Sequence, residues 1–484
     1  MPGKMARSDP RPSVQVTRGA GSGQHLASVL QEGRENANID AGLGFIWRIS
    51  VHFSGRPSAC RCNQLRTYAR AMPAARPARW PGRALGKEGI MHATLSPSWK
   101  KSLLLVFVSV VAFATATPAT SGSQCFFQGL GFVPGGNQSF ALGVNANGTV
   151  VVGFSFGPNV PDQAFRWTAA SGMVGLGSLP GFMSSDARGV NADGKVVVGF
   201  STHDRPPSQE QAFRWTAASG MVGLGFLPGF MSSDARGVNA DGTVVVGFLA
   251  FSGPNEPFQA FRWTAASGMV GLGFLPGFMS SEARGVNADG KVVVGFGASP
   301  SEQAFRWTAA SGMVGLGFLP GGNLSSAIGV NANGKVVVGG SNDASGHNQA
   351  FRWTAASGMV GLGFLPGGNF SVANGVNANG KVVVGSARDA SGAFQAFRWT
   401  RATRMQSVVT LLLAAKVVTM DFGWQLTGAN GVSADGTVIV GDGVAPLGLP
   451  QGWIARLPKE SNEDCEEDDD NQGDNDNQGE DFRQ

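Results

Sequence analysis

Side chains able to do chemistry are few in the repetitive body of this chain, and most of them recur. Two histidines fall there, His203 and His347, neither with a cysteine nearby. Zinc-ligand spacing and a nucleophile–histidine–acid set are therefore absent, and both histidines read as solvated loop residues. Arginine is the repeated ionic group: Arg166, Arg214, Arg262, Arg306, Arg352 and Arg398 share one sequence context. A second set, Arg188, Arg236 and Arg284, stands two residues after Asp186, Asp234 and Glu282. A circular anion-binding face, for example for an acidic polysaccharide, is one use of such rows. The other is structural, each charge meeting a carboxylate or backbone carbonyl of a neighbouring unit while Trp and Phe pack the opposite face. Because the arginines are locked to the repeat rather than to one locus, the structural use is preferred. Asp193, Asp241, Asp289 and Asp435 each precede a glycine, where the pair has a conformational role, so they do not read as a catalytic acid–base couple.

Two further constellations lie outside the recurring pattern. Cys125 and Cys465 flank the repetitive body, and in an exported protein they could form a disulfide clasp or remain two thiols. A loop that long would gain ~5 kcal/mol from closure in the chain-entropy description. The C-terminal stretch repeats Asp-x-Asp-Asn-Gln-Gly, and Asp468, Asp470, Asp474 and Asp476 resemble the first half of a calcium loop. The closing glutamate is missing, so a solvated acidic tail is expected, with calcium the one cofactor left open.

The elements that must position these residues follow from the period. "QAFRWTAASGMVGLGFLPG" begins at 303 and recurs at 211, 259 and 349, with a near copy from 163 carrying Ser178 in place of Phe. Its tryptophans, Trp167, Trp215, Trp263, Trp307, Trp353 and Trp399, are 44 to 48 residues apart. "GVNADG" or "GVNANG" starts at Gly143, Gly189, Gly237, Gly285, Gly329 and Gly375, and "GVSADG" at Gly431, so seven units are present. Within a unit, "ARGVNA" and "KVVVGF" flank Asp-Gly or Asn-Gly, a pair suited to a two-residue hairpin turn with both central residues at positive φ. "QAFRWT" alternates Phe and Trp with Ala, Arg and Thr, and "GMVGLG" follows a short turn. The all-apolar valine run suits an inner strand buried on both faces.

Four strands in about 46 residues predict an all-β fold, a seven-bladed β-propeller. The body begins with "FFQGLGFVPGG" (126–136), which matches a fourth strand, and ends with "QGWIARLP" (451–458), which matches a third. Pairing the two completes the last blade and closes the ring, removing two exposed sheet edges. An open β-solenoid is the alternative. In the last unit, "MQSVVTLLLAAKVVTMDFGWQL" replaces the usual short turn, and residues 408–415 read as a helix or a longer strand packed as core.

Composition divides the chain into four segments. Residues 1–90 hold 14 Lys+Arg against 5 Asp+Glu without periodicity, and read as a non-native or disordered extension. Residues 91–116 have the layout of a secretory signal peptide: Met91, then Lys100 and Lys101 before an apolar run from Leu103 to Ala114. That run is shorter than a membrane-spanning helix, so the membrane is expected to be met only through an uncleaved signal segment. Residues 117–458 form the propeller and 459–484 the acidic tail. The body is near neutral without the tail, which argues against nucleic acid. A secreted or periplasmic bacterial protein, monomeric, follows.

The unit "LGFLPGG…GVNANGKVVVG…QAFRWT" resembles the extracellular HAF repeat family, named for a His-Ala-Phe triplet. The resemblance spans about residues 126–457 and implies export and a propeller-like fold, without an activity to carry over. Here the first triplet position is Gln in all six clear copies, Gln163, Gln211, Gln259, Gln303, Gln349 and Gln395, so no role of that histidine transfers. A binding or scaffold module is expected, with the variable loops between second and third strands as its contact surface for an extracellular glycan or protein. The competing expectation is a polysaccharide hydrolase or lyase at one mouth of the channel, which would need a constellation that breaks the repeat.

Overall fold

A computed structural model describes residues 124–203, 209–251, 257–299, 301–417 and 423–459. The expected extension 1–90, the signal segment 91–116, Cys465, and the tail with Asp468, Asp470, Asp474 and Asp476 lie outside the described residues.

Alternating strand patterns and glycine-marked turns fold each unit into one antiparallel sheet. Strand β1 (Phe126–Gly129) precedes the first full blade, which runs outward from β2 (Gln138–Val144) through β3 (Val151–Gly157) and β4 (Val160–Thr168) to β5 (Gly172–Gly175). The next five blades repeat the order as β6–β9 (184–223), β10–β13 (232–271), β14–β17 (280–315), β18–β21 (325–361) and β22–β25 (371–407). Blade 7 is composite: β26 (Gln425–Val432), β27 (Val438–Val444) and β28 (Pro450–Arg456) are completed by β1. Phe126 pairs with Arg456 and Gly129 with Trp453, antiparallel. The protein is a seven-bladed β-propeller with this closure, and the open solenoid is excluded.

Innermost in each blade is the "ARGV"-type strand, while the valine run is second from the centre. Val151, Val197, Val245, Val293, Val337 and Val383 are fully buried because both faces of that strand contact neighbouring blades. The core is thus not one mass but seven apolar seams between blades; in one, Val152 and Ala164 of blade 1 meet Ala187, Val197 and Phe213 of blade 2. Phe127 seals the closing seam, edge-on to Trp424 at 5.1 Å, with Trp453, Leu426 and Leu412 around it. Leu412 belongs to helix α1 (Val408–Ala414), which resolves the helix-or-strand ambiguity of the last unit; the Ser407 hydroxyl caps it by accepting from the Thr410 amide.

The hairpin turn departs from expectation. Only the glycine, for example Gly194 at φ 75°, takes positive φ, and the preceding Asp or Asn does not. The turn spans four residues instead of two: the Asn191 amide donates to Val196 O at 3.0 Å and the Gly194 amide to Asn191 O at 3.1 Å. The cause is the first asparagine of the motif, whose Oδ1 accepts the amides of Lys195 and Val196 and replaces the tight two-residue reversal.

These turns also join the blades. Each central alanine donates its amide to the carbonyl of the next, from Ala146 to Ala192 and onward to Ala434, which donates back to Ala146 at 2.9 Å. Seven such bonds make an unbroken circle, reinforced by asparagine amides such as Asn145 Nδ2 to Ala192 O at 3.3 Å. On the opposite side, inner-strand serines bind the preceding blade: Ser185 Oγ accepts from the Ala164 amide, and Ser139 Oγ accepts from Gly452 across the closure. The sequence motif therefore encodes ring assembly.

Candidate functional site

Register assigns the two ends of every blade. Val144 pairs with Val151, and Thr168 with Gly172, so the Asn-Gly and Ala-Ser-Gly turns share one face. The connections from second to third strand, and from outer strand to the next inner strand, share the other. The turn face is almost the same in every blade. On the loop face the second-to-third connections differ throughout, from "GASPSE" to "SNDASGHN".

The first arginine set belongs to the turn-face seams. Arg166 Nε donates to Gly194 O of the next blade at 3.1 Å, and Arg214, Arg262, Arg306 and Arg352 make the same bond to Gly242, Gly290, Gly334 and Gly380 at 3.2 to 3.3 Å. Arg398 is buried, at 6 % exposure. The partnering tryptophans pack into the seams, Trp167 and Trp399 buried and Trp215, Trp263, Trp307 and Trp353 half-buried. Asp193 accepts from the Lys195 amide and ammonium, both at 3.0 Å, and these bonds hold its carboxyl below the usual range. His347 is exposed in a loop and His203 half-buried at the end of its strand.

The second arginine set is placed differently. Every inner strand carries a β-bulge at the same position, which leaves out of the ladder Leu142, Arg188, Arg236, Arg284, Ile328, Asn374 and Asn430 in chain order; β26 has a second irregularity, at Thr427. A bulge re-aims its side chain, so these seven positions form a collar around the axis. Next to it the valines of all seven inner strands, with Leu142, Asn430 and six of the neighbouring glycines, enclose about 200 Å³ of channel.

Charge breaks the seven-fold symmetry of that collar. In blades 2 to 4 each bulge arginine meets the acid two residues earlier: Arg188–Asp186 at 3.1 Å, Arg236–Asp234 at 3.0 Å and Arg284–Glu282 at 2.9 Å. Arg236 also approaches Glu282 of the next blade at 3.9 Å. Each guanidinium lies over the phenylalanine of the second strand, 5.2 Å from Phe200, 5.3 Å from Phe248 and 4.7 Å from Phe296. Burial pushes Asp186 up to about 6 and Asp234 up to about 7, outweighing the nearby arginines, and it raises Glu210 as well. Across the channel the collar is amide: Asn374 Nδ2 donates to Ala429 O at 3.1 Å, and Asn430 donates to the Asp442 carboxylate, which burial raises.

The sequence named this second set at three positions and favoured a structural use for it because it is locked to the repeat; the three acid–arginine pairs form, and they occupy three adjacent blades. The sequence reading passed over Met183, Met231 and Met279, which lie on the loop face of the same blades and are 57 %, 41 % and 62 % exposed. Cys125 is half-buried just before β1. Among the described residues, no group of three His, Cys, Asp or Glu side chains is placed to hold a metal ion, and no helix is long and apolar enough to cross a membrane.

No protein-family model matches the chain, and no curated protein matches it. Solved structures are similar in fold. TolB from Acinetobacter baumannii aligns at 13 % identity and a TM-score of 0.38 over 54 % of this chain, which spans 63 % of that one. The β-propeller domain of the Trilobed protease from Pyrococcus furiosus aligns at 10 % identity and a TM-score of 0.42, covering 70 % of this chain and 99 % of the domain. These likenesses concern the fold alone.

Proposed function

We propose that this protein is an exported bacterial binding or scaffold module that meets an extracellular or periplasmic partner through the loop face of its ring. One observation carries the reading: the connections that differ most between blades lie toward one side. The turn face carries the circle of backbone hydrogen bonds and the Arg-to-Gly bonds, so its residues are committed to assembly. Toward the loop face lie the connections of unlike sequence, the charged arc of blades 2 to 4 and the exposed methionines, none of which the ring requires. Export is supported by the signal-like segment 91–116 and by the resemblance of the unit to HAF-type extracellular repeats.

The test is a glycan array and a protein pull-down with the purified protein, repeated after the second-to-third-strand connections are replaced by one short common loop. A ligand that is lost with the loops supports the reading. A ligand indifferent to the loops but lost on altering the turn face overturns it, and turnover of a polysaccharide would replace the scaffold by an enzyme acting at a channel mouth.

A further inference from the structure

The bonds that join the blades leave one position of each turn out of their work. The residue after the turn glycine is exposed at Thr149, Lys195, Thr243, Lys291, Lys335 and Lys381. Blades 2 and 4 neutralise their lysine within the turn, Lys195 on Asp193 at 3.0 Å and Lys291 on Asp289 at 3.5 Å. Blades 5 and 6 carry Asn333 and Asn379 in place of the aspartate. The backbone bond is kept, since the Lys335 and Lys381 amides donate to Asn333 and Asn379 Oδ1 at 3.0 Å, as the Lys195 amide does to Asp193. Only the charge has changed.

Blade 6 adds two more cations on the same face. Its outer turn reads "TRATR" where blades 1 to 5 read "TAASG". Arg401 and Arg404 are both exposed, and Arg404 sits at φ 56°, the left-handed region its five counterparts enter as glycine at φ 65° or 66°. A side chain is thus held there against backbone preference, which the turn itself does not ask for. The register that pairs Val383 with Trp399 sets Lys381 and Arg401 at facing positions just beyond the ladder. Arg352 reaches in from blade 5 to Gly380 O at 3.3 Å, next to Lys381. The turns of blades 5 and 6 on this face contain no carboxylate among the described residues. The loop face differs in sign: at the loop ends of blades 1 to 4, Asp162, Glu210 and Glu302 add to the three acids already paired with the bulge arginines.

The chain carries its own counter-charge to this place. Strand β28 runs from Pro450 on the loop face to Arg456 on the turn face, where the Leu457 amide donates to Thr437 O at 2.8 Å. Lys459 therefore follows on the turn face at blade 7, the neighbour of blade 6. Beyond it, residues 460–484 hold twelve Asp and Glu against Arg483 alone. A segment of 25 residues spans up to ~80 Å, against ~10 Å between packed sheets, so it reaches both blades, and its tether presents it at a roughly millimolar effective concentration. We propose that the turn face of blades 5 and 6 is a docking surface for this acidic C-terminal segment, its carboxylates lying against Lys335, Lys381, Arg401 and Arg404. The proposal goes beyond the loop-face reading and does not depend on it. Charge complementarity selects an anion, and the exit beside blade 6 selects the tethered segment over a polyanion from outside. One exposed ion pair contributes little, but many carboxylates facing a cluster of cations act together at low salt.

The test treats the full chain at low salt with a water-soluble carbodiimide, which joins a carboxylate to a lysine it touches, and maps the links by mass spectrometry after trypsin. Cleavage after Lys459 and Arg483 releases residues 460–483 as one peptide, and Lys195 and Lys291 on the same face serve as references. Expected are links from that peptide to Lys381 and Lys335 in about threefold excess or more over the reference lysines, unchanged by dilution and lost at ~0.5 M salt, where screening acts within about 4 Å. The variant R401A/R404G restores the Ala and Gly of the other blades and keeps all four reporter lysines. It is expected to lower the yield at Lys381 by about threefold or more, with melting at no lower temperature. Equal yields on the four lysines, links that vanish on dilution, a yield indifferent to R401A/R404G, or no link at all overturns the proposal.

Discussion

Replacing Asp234 and Arg236 by Ser and Ile, the pair that blade 5 carries as Ser326 and Ile328, should make the protein more stable in alkali and leave it unchanged in acid. Asp234 is 2 % exposed, and its carboxyl stands at about 7 against an ordinary 3.8. Burial is the main cause; Arg236 and then Arg188 oppose it, while Glu210 and Glu282 add to it. Below pH ~4 the acid is protonated in both folded and unfolded chains and contributes nothing. Between ~4 and ~7 the folded chain keeps a proton that the unfolded one releases, so stability falls as pH rises, and above ~7 the loss is complete. A shift of about three units corresponds to roughly 4 kcal/mol. The double substitution removes that cost but gives up the guanidinium over Phe248 at 5.3 Å, about 1 kcal/mol, and leaves Glu282 to Arg284 alone. A net gain of about 3 kcal/mol at pH 8 and near zero at pH 4.5 is the expected outcome, in line with what replacing buried ion pairs by apolar groups achieves. Urea denaturation followed by tryptophan fluorescence across that range measures it. Parallel pH slopes for the two proteins, or a variant destabilised equally at both ends, would refute the assignment of a buried, proton-binding Asp234.

Two further outcomes test the ring itself. Phe127→Ala empties the seam beside Trp424 and Trp453 and should cost about 3–5 kcal/mol, read as a lowered urea midpoint, whereas Val174→Ala on an outer strand should shift it by less than about 0.5. A near-silent Phe127→Ala would mean that the closing strand stands outside the cooperative unit. Gly247→Ala puts a Cβ into the Asp234 carbonyl at the bulge and should cost about 3 kcal/mol or more in a thermal melt, while Gly220→Ala, at a turn with open space around it, pays only for its positive φ.

The fold could be read from the chain because the repeat states one blade several times and its two ends supply complementary strands. Trp453 and Phe127 are 326 positions apart, yet incomplete units at either end indicate that they must meet. What stayed hidden depends on three-dimensional offsets that a linear motif does not show. Asn145 looked like a turn residue, and only the ring reveals that its side chain accepts two amides of its own turn while donating to the next blade. The arginine of "QAFRWT" could have paired with a carboxylate or a carbonyl; its reach to the glycine of the following turn depends on the angle between blades. At the inner strand the difficulty was different. Asp186 and Arg188 are two residues apart, and in a regular strand they would simply share a face. The bulge between Ala187 and Gly189 leaves Arg188 out of the ladder and lays it on Phe200, which period-two reasoning does not anticipate.

Symmetry and function pull in opposite directions in such a ring. Each seam is secured by the same few residues, so any of the seven could in principle carry any substitution that spares the alanine circle, the inner-strand serines and the glycine opposite the bulge. The bulge residue is the position this rule releases: it is Leu, Arg, Ile or Asn without change in the ladder around it. A site that the backbone holds and the ring does not need is where recognition can vary at little expense to stability. Three successive blades fill it with arginine and bury an acid beneath each one, which burial opposes and assembly does not ask for. Blades 1 and 5 put Leu142 and Ile328 there, so the charged arc is not a requirement of folding.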